Sequence, residues 1–86
     1  MNKKYKARIY ISLRDGVKNN EGEAIQKSLH NLGYSGVRKF NAGKFMTLEL
    51  KAKNYKDADD KVTEMCEKLL VNLVIEKYRC CVWEIL

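Results

Sequence analysis

The chain has 86 residues, a net charge of +6 from 17 basic and 11 acidic side chains, three cysteines and no proline. That length supports one domain, residues 1–86, and an apolar fraction of 45% is ordinary for a globular protein. No apolar run approaches the roughly 18 residues of a membrane helix, and the Met-Asn-Lys-Lys-Tyr-Lys opening leads into no apolar signal segment, so a cytoplasmic protein without membrane attachment is expected.

Residues 5–13 are expected to form the first strand. Tyr5, Ala7, Ile9, Ile11 and Leu13 alternate with Lys6, Arg8, Tyr10 and Ser12, the period-two pattern of a sheet with one buried and one wet face. Arg14-Asp15-Gly16 ends it, and Lys18-Asn19-Asn20 reads as loop. A helix is expected over about residues 21–32, with Asn20 as its cap and Glu23 completing a capping-box-like pair. Ile25, Ser28, Leu29 and Leu32 form its inward stripe, and Gly33 closes it.

A hairpin follows. Its first arm covers residues 36–42, with Val37 and Phe40. Asn41-Ala42-Gly43-Lys44 forms the turn, where Gly43 is free to take a positive φ. The second arm covers residues 45–52: Met46, Leu48, Leu50 and Ala52 point one way, Phe45, Thr47, Glu49 and Lys51 the other. A second helix is expected over residues 55–70, capped by Asn54. Asp57, Asp59 and Asp60 lie in or near its first turn, where acids suit the helix dipole, and Ala58, Val62, Met65 and Leu69 recur at helical spacing. The last strand is expected over residues 79–86, with Cys81, Trp83 and Ile85 on one face and Cys80, Val82, Glu84 and Leu86 on the other.

The order β-α-β-β-α-β is the ferredoxin-like plan, an α+β fold with two helices on one face of an antiparallel sheet. The final strand is apolar on both faces, and Tyr10 and Phe45 occupy nominally outer positions. The open side or edge of the sheet is therefore expected to be covered by an identical subunit. Tyr10, Phe45, Val82 and Trp83 are the expected residues of this homodimer or higher-oligomer interface.

Catalytic chemistry has little to build on. The one histidine, His30, reads as a helix-surface residue, and Cys66 as a core thiol. Adjacent Cys80 and Cys81 point to opposite faces of a strand and do not bridge each other. No Cys-x-x-Cys pair suggests zinc, and the three aspartates are explained by a helix start. The turn at Gly43-Lys44 lacks the other parts of a P-loop. The densest basic group, Lys3-Lys4-Tyr5-Lys6-Ala7-Arg8, reads as a solvated sheet face, with an acidic protein partner and nucleic acid as the alternatives. RNA-recognition modules share this topology, but Gly43-Lys44-Phe45-Met46-Thr47-Leu48 does not match their aromatic motif. No nucleic-acid partner is expected.

The most specific stretch is Met65-Cys66-Glu67-Lys68-Leu69-Leu70 followed by Asn72-x-Val74-Ile75-Glu76-x-Tyr78. With Tyr5-Lys6-Ala7-Arg8-Ile9-Tyr10-Ile11, Asp15-Gly16-Val17, Glu21-Gly22, Leu29-His30-Asn31-Leu32-Gly33-Tyr34, Val37 and Gly43-Lys44, it closely resembles the PurS family in order, spacing and length. These are small accessory subunits of phosphoribosylformylglycinamidine (FGAM) synthase, an amidotransferase of de novo purine synthesis. Two departures stand out: Asn41 and Ala42 replace a usual basic residue before Gly43-Lys44, and Leu73 replaces a usual proline, which leaves φ unfixed there.

The resemblance implies a subunit with no catalytic, cofactor-binding or metal-binding residues of its own. The whole enzyme would turn formylglycinamide ribonucleotide, glutamine and ATP into formylglycinamidine ribonucleotide, glutamate, ADP and phosphate, using ATP and magnesium on a large synthase subunit. A glutaminase subunit would release the ammonia. The small chain would bridge the two as a dimer and help seal the ammonia route. Its partner-contact residues would be Asp15 and Gly16 in one turn, Gly43 and Lys44 in another, and Asn72, Glu76 and Tyr78 after the second helix. Asn72 also reads as a helix C-cap. The competing reading is a dimeric small-molecule sensor of the ACT type, with ligand near Asp15-Gly16; such a sensor has no reason to carry the stretch from Asn72 to Tyr78.

Overall fold

A computed structural model describes residues 2–86. Strands β1 (Lys3–Leu13), β2 (Lys44–Ala52) and β3 (Glu76–Glu84) form an antiparallel sheet in the order β2-β1-β3. Helix α1 (Asn20–Asn31) joins β1 to β2. Helix α2 (Tyr55–Met65) and a π-helical turn, Cys66–Leu70, join β2 to β3.

Side-chain alternation decides how the sheet is used. Residues paired directly across strands share a face. Ala7 pairs with Leu48 and Val82, and Ile9 with Met46 and Cys80. This apolar inner face receives Ala58 and Val62 of α2 and Cys66 of the π-helical turn, each fully buried together with Ala7 and Ile9. The opposite face carries Lys6 with Glu49 and Trp83, Arg8 with Thr47 and Cys81, and Tyr10 with Phe45 and Arg79. The expected α+β architecture, an antiparallel sheet with two helices, is the one observed. The expected thiol burial at Cys66 is also found.

Several details differ, each for a local reason. The first hairpin arm, residues 36–42, makes no strand pairing. Its backbone is satisfied by side chains of α1 and the turn before it. Gln26 Oε1 accepts the Phe40 N–H at 3.0 Å, His30 Nε2 donates to the Val37 carbonyl at 2.7 Å, and Asn19 Nδ2 donates to the Ala42 carbonyl at 2.9 Å. A sheet ladder is then not needed to pair these groups. Asn19 rather than Asn20 caps α1, accepting the Gly22 N–H at 2.7 Å. Gly33 closes α1 as expected, with φ +101°. Gly43 does not use a positive φ; the chain takes one at Lys39 instead, φ 52°. Gly43 is needed for close approach, since a Cβ there would lie 2.5 Å from the Ile11 carbonyl oxygen.

The buried stripe of α2, Ala58 and Val62, continues into the π-helical turn at Cys66, one residue beyond the expected Met65. The Val71 N–H then reaches back to the Cys66 carbonyl, 2.9 Å, five residues earlier. That wider turn shifts the helical phase by one residue. It turns Val71 inward and leaves Leu69 83% exposed. Val82 packs in the inner layer, 9% exposed, so it has little surface to offer an oligomer interface. Tyr10, Phe45 and Trp83 do lie on the uncovered outer face, as expected.

Among the described residues, the helical packing on the sheet comes from α2 and the π-helical turn; α1 and residues 37–43 project as an arm from the end where β1 stops and β2 begins. The chain measures 56 × 29 × 14 Å with a radius of gyration of 17.0 Å, against about 12 Å for a compact domain of this length. On the arm, Leu32 and Tyr34 are exposed and Ile25, Leu29, Val37 and Phe40 only half-buried.

Gly22 holds the arm together, because a Cβ there would collide with the Phe40 carbonyl oxygen. Gly22→Ala should cost about 1–3 kcal/mol locally through overpacking. The Phe40 amide should then exchange with deuterium at least about tenfold faster, while β1 and β2 amides keep their protection.

Candidate functional site

Most of the residues expected to meet a partner come together at one end of the sheet. Leu13 pairs with Glu76, and Ile11 with Lys44 and Tyr78. The turn after β1, the entry to β2 and the loop before β3 therefore meet there. Arg14 to Val17 is a tight turn closed by the Val17 N–H on the Arg14 carbonyl, 3.1 Å. Gly16 sits at its third position with φ +86°, as a type II turn requires. Asp15 is fully exposed beside it, with Lys77 Nζ 3.9 Å away.

Glu76 is the centre of this end. Its side chain lies on the inner face and the residue is 7% exposed. Oε1 accepts the Asn72 N–H at 2.8 Å, and Oε2 meets Lys44 Nζ at 3.2 Å. The Asn72 hydrogen bond, with Lys44 adding to it, holds the carboxyl below the usual glutamate range despite burial. The loop folds around the same residue. The Asn72 carbonyl accepts the N–H groups of Ile75 and Glu76, at 3.1 and 2.7 Å, and its side chain accepts the Val74 N–H at 3.2 Å. Asn72 thus starts a turn, and Val71 stands at the helix C-cap position expected for it.

Tyr78 is half-buried on the inner face and donates to Glu67 Oε2 at 3.0 Å. Burial and that carboxylate push its hydroxyl up to about 12. Glu76, Lys44 and Tyr78 therefore bond within the chain, and Gly43 is a packing position. Asp15 and Asn72 remain exposed.

Two features escaped the sequence reading. Arg14 bolts the loop to the β1 turn: its N–H donates to the Ile75 carbonyl at 2.8 Å and its Nε to the Leu73 carbonyl at 2.9 Å. An arginine before a turn gives no signal of this in sequence. The second feature is an apolar display. Leu69 and Val74 are each 83% exposed, and Leu73, Ile75 and Met65 about 40%. In sequence Met65 and Leu69 pass for a helix stripe, and residues 73–75 for a short apolar run between the second helix and the last strand. Among the described residues, no group of three or more His, Cys, Asp or Glu side chains is arranged to hold a metal ion.

Residues 6–84 match the family model described as PurS, phosphoribosylformylglycinamidine (FGAM) synthase. The chain belongs to the PurS family. It is 45% identical over 75 residues to the FGAM synthase subunit PurS of Bacillus subtilis, covering 87% of this chain and 88% of that protein. The crystal structure of PurS from Methanocaldococcus jannaschii, one of the subunits of formylglycinamide ribonucleotide amidotransferase, superposes with a TM-score of 0.83. It is 38% identical, over 94% of this chain and 98% of that one. A chain of the PurLQS structure from Thermotoga maritima gives a TM-score of 0.82 at 35% identity, over 95% and 98% of the two chains. The family's distinctive stretch, which argued against the sensor reading, is the loop held by Glu76 and Arg14.

The Glu76 clamp has a pH signature. A depressed carboxyl contributes stability above its unfolded pKa, about 4.3, and loses it as pH falls through the lower folded value. Glu76→Gln keeps an acceptor for Asn72 but loses the charge, and should cost about 1 kcal/mol at pH 7. Urea titrations of both proteins should show that difference shrinking below about pH 4.

Proposed function

We propose that this chain is the small subunit of FGAM synthase in purine biosynthesis and acts by bridging. It would hold a glutaminase subunit and an ATP-dependent synthase subunit together and contribute no catalytic residue. ATP and magnesium would be used by the synthase subunit, with no cofactor on this chain. The single observation that carries the reading is the match over residues 6–84, whose most distinctive part is also the exposed apolar loop at Leu73 and Val74. Ammonia released into water is protonated and diluted, so a joint that keeps two active sites sealed together has a physical purpose. The assembly would work in the cytoplasm, where soluble substrates of this kind are at hand.

A second copy of the chain belongs to the same proposal. The arm presents Leu29 and Leu32 to no partner, while Met46, Leu48 and Leu50 are only half-covered beside α2. A two-fold arrangement that lays each arm along the other copy's inner sheet face would bury both surfaces. It differs from the outer-face pairing expected from Tyr10, Phe45 and Trp83.

Two experiments follow. Tagged protein mixed with the purified synthase and glutaminase subunits, with glutamine, magnesium and ADP, should co-elute with both; Leu73→Asp with Val74→Asp should weaken recovery at least about tenfold, as loss of apolar anchors does. Light scattering on the isolated chain should give a multiple of 10.0 kDa. Leu29→Asp with Leu32→Asp should reduce it to the monomer mass. A wild-type chain that stays monomeric would remove the arm-exchange arrangement.

A further inference from the structure

The outer sheet face holds nearly all of the chain's charge excess. Lys4, Lys6, Arg8, Lys51, Lys77 and Arg79 point from it, with Glu49 as its one acid. Of 17 basic and 11 acidic side chains, that leaves 11 and 10 for the rest of the molecule, close to neutral. The face is uncovered in the protomer and three strands wide.

Its aromatic residues are organised around the arginines. The Arg8 guanidinium lies 5.0 Å from the centroid of Trp83, and Arg79 lies 5.0 Å from that of Tyr10. The Tyr10 ring also packs against Phe45, with centroids 5.2 Å apart and a 38° tilt. A guanidinium resting on a ring keeps its N–H edges free, and those edges fit a carboxylate bidentately. The ring also limits the side chain's freedom, so less is lost on binding.

We propose that this face is a docking surface for a carboxylate-rich protein surface, with Arg8 and Arg79 as its fixed contacts. The inference rests on the bridging reading and assigns this face to one of the two larger subunits. Two other occupants fit less well. Single-stranded nucleic acid needs open ring faces for base stacking, and here guanidinium groups already lie over Trp83 and Tyr10, while Phe45 packs against the Tyr10 ring. A second copy would bring six bases and one acid against the same set, a like-charge contact that opposes pairing.

The test uses reconstituted complex from purified subunits. Arg8→Gln with Arg79→Gln should weaken assembly at least tenfold, with a shallower salt dependence than wild type. Lys6→Gln with Lys77→Gln, which leaves the ring contacts intact, should weaken it by a smaller factor in the same direction. Circular dichroism and light scattering check that fold and oligomer are kept. Wild type that assembles while both variants assemble equally well overturns the docking surface and leaves the bridging reading standing. Wild type that joins neither subunit overturns the bridging reading and the inference with it. A changed oligomer mass in the folded variants assigns the face to a second copy. Submicromolar binding of a labelled oligonucleotide, lost in the variants, assigns it to nucleic acid; either result overturns the proposal.

Discussion

A carboxylate on the buried face of a sheet must be given partners, or its desolvation costs more than the fold can spare. Glu76 sets that condition, and the sheet end is arranged to meet it. The Asn72 N–H comes because the loop turns back on itself, and the Lys44 ammonium comes because β2 starts beside β3's end of β1. Gly43 must be small for β2 to start that close to Ile11. Arg14 then fixes the far side of the loop by gripping two of its carbonyls. The exposed position of Leu73 and Val74 follows from these bonds: the backbone's polar groups turn inward, and the side chains are left outside.

Much of this was legible in the sequence, for reasons that can be traced. The β1 alternation is strict because one face is buried and the other wet, so Ile9 and Arg8 announce their sides. Asn54 announces the start of α2, and its side chain does accept the Asp57 N–H at 2.8 Å. The distinctive stretch after α2 announced the family. Other features depend on contacts distant in sequence. Residues 36–42 look like a strand until Gln26 and His30 take their hydrogen bonds. Met65 fits a helical stripe until Cys66, four residues after Val62, takes the inward place, and Leu69 fits it until a π turn shifts the phase. Glu76 reads as a surface acid until its register opposite Leu13 places it indoors. Val82 and Trp83 are neighbours of similar apolarity, and only the pairing tells that one is core and the other surface.

The surfaces divide the labour of so small a chain. The inner sheet face is filled by α2 over part of its area and open beside it. The outer face concentrates positive charge on rings that hold the guanidinium groups in place. The loop end presents aliphatic side chains on a rigid turn. Each surface is chemically different from the others, which would suit a chain that meets unlike neighbours at once, as the bridging proposal requires.

The projecting arm has a consequence for how the molecule endures. A domain this thin, 14 Å along its shortest axis, has little interior of its own, and the apolar side of α1 waits for a surface outside the chain. If the proposed second copy completes the fold, the native state is favoured by mass action, and its persistence depends on how many copies share the volume. Dilution then works as a denaturant does. A cell that makes too little of this protein would lose it twice, once to scarcity and again to the instability that scarcity brings.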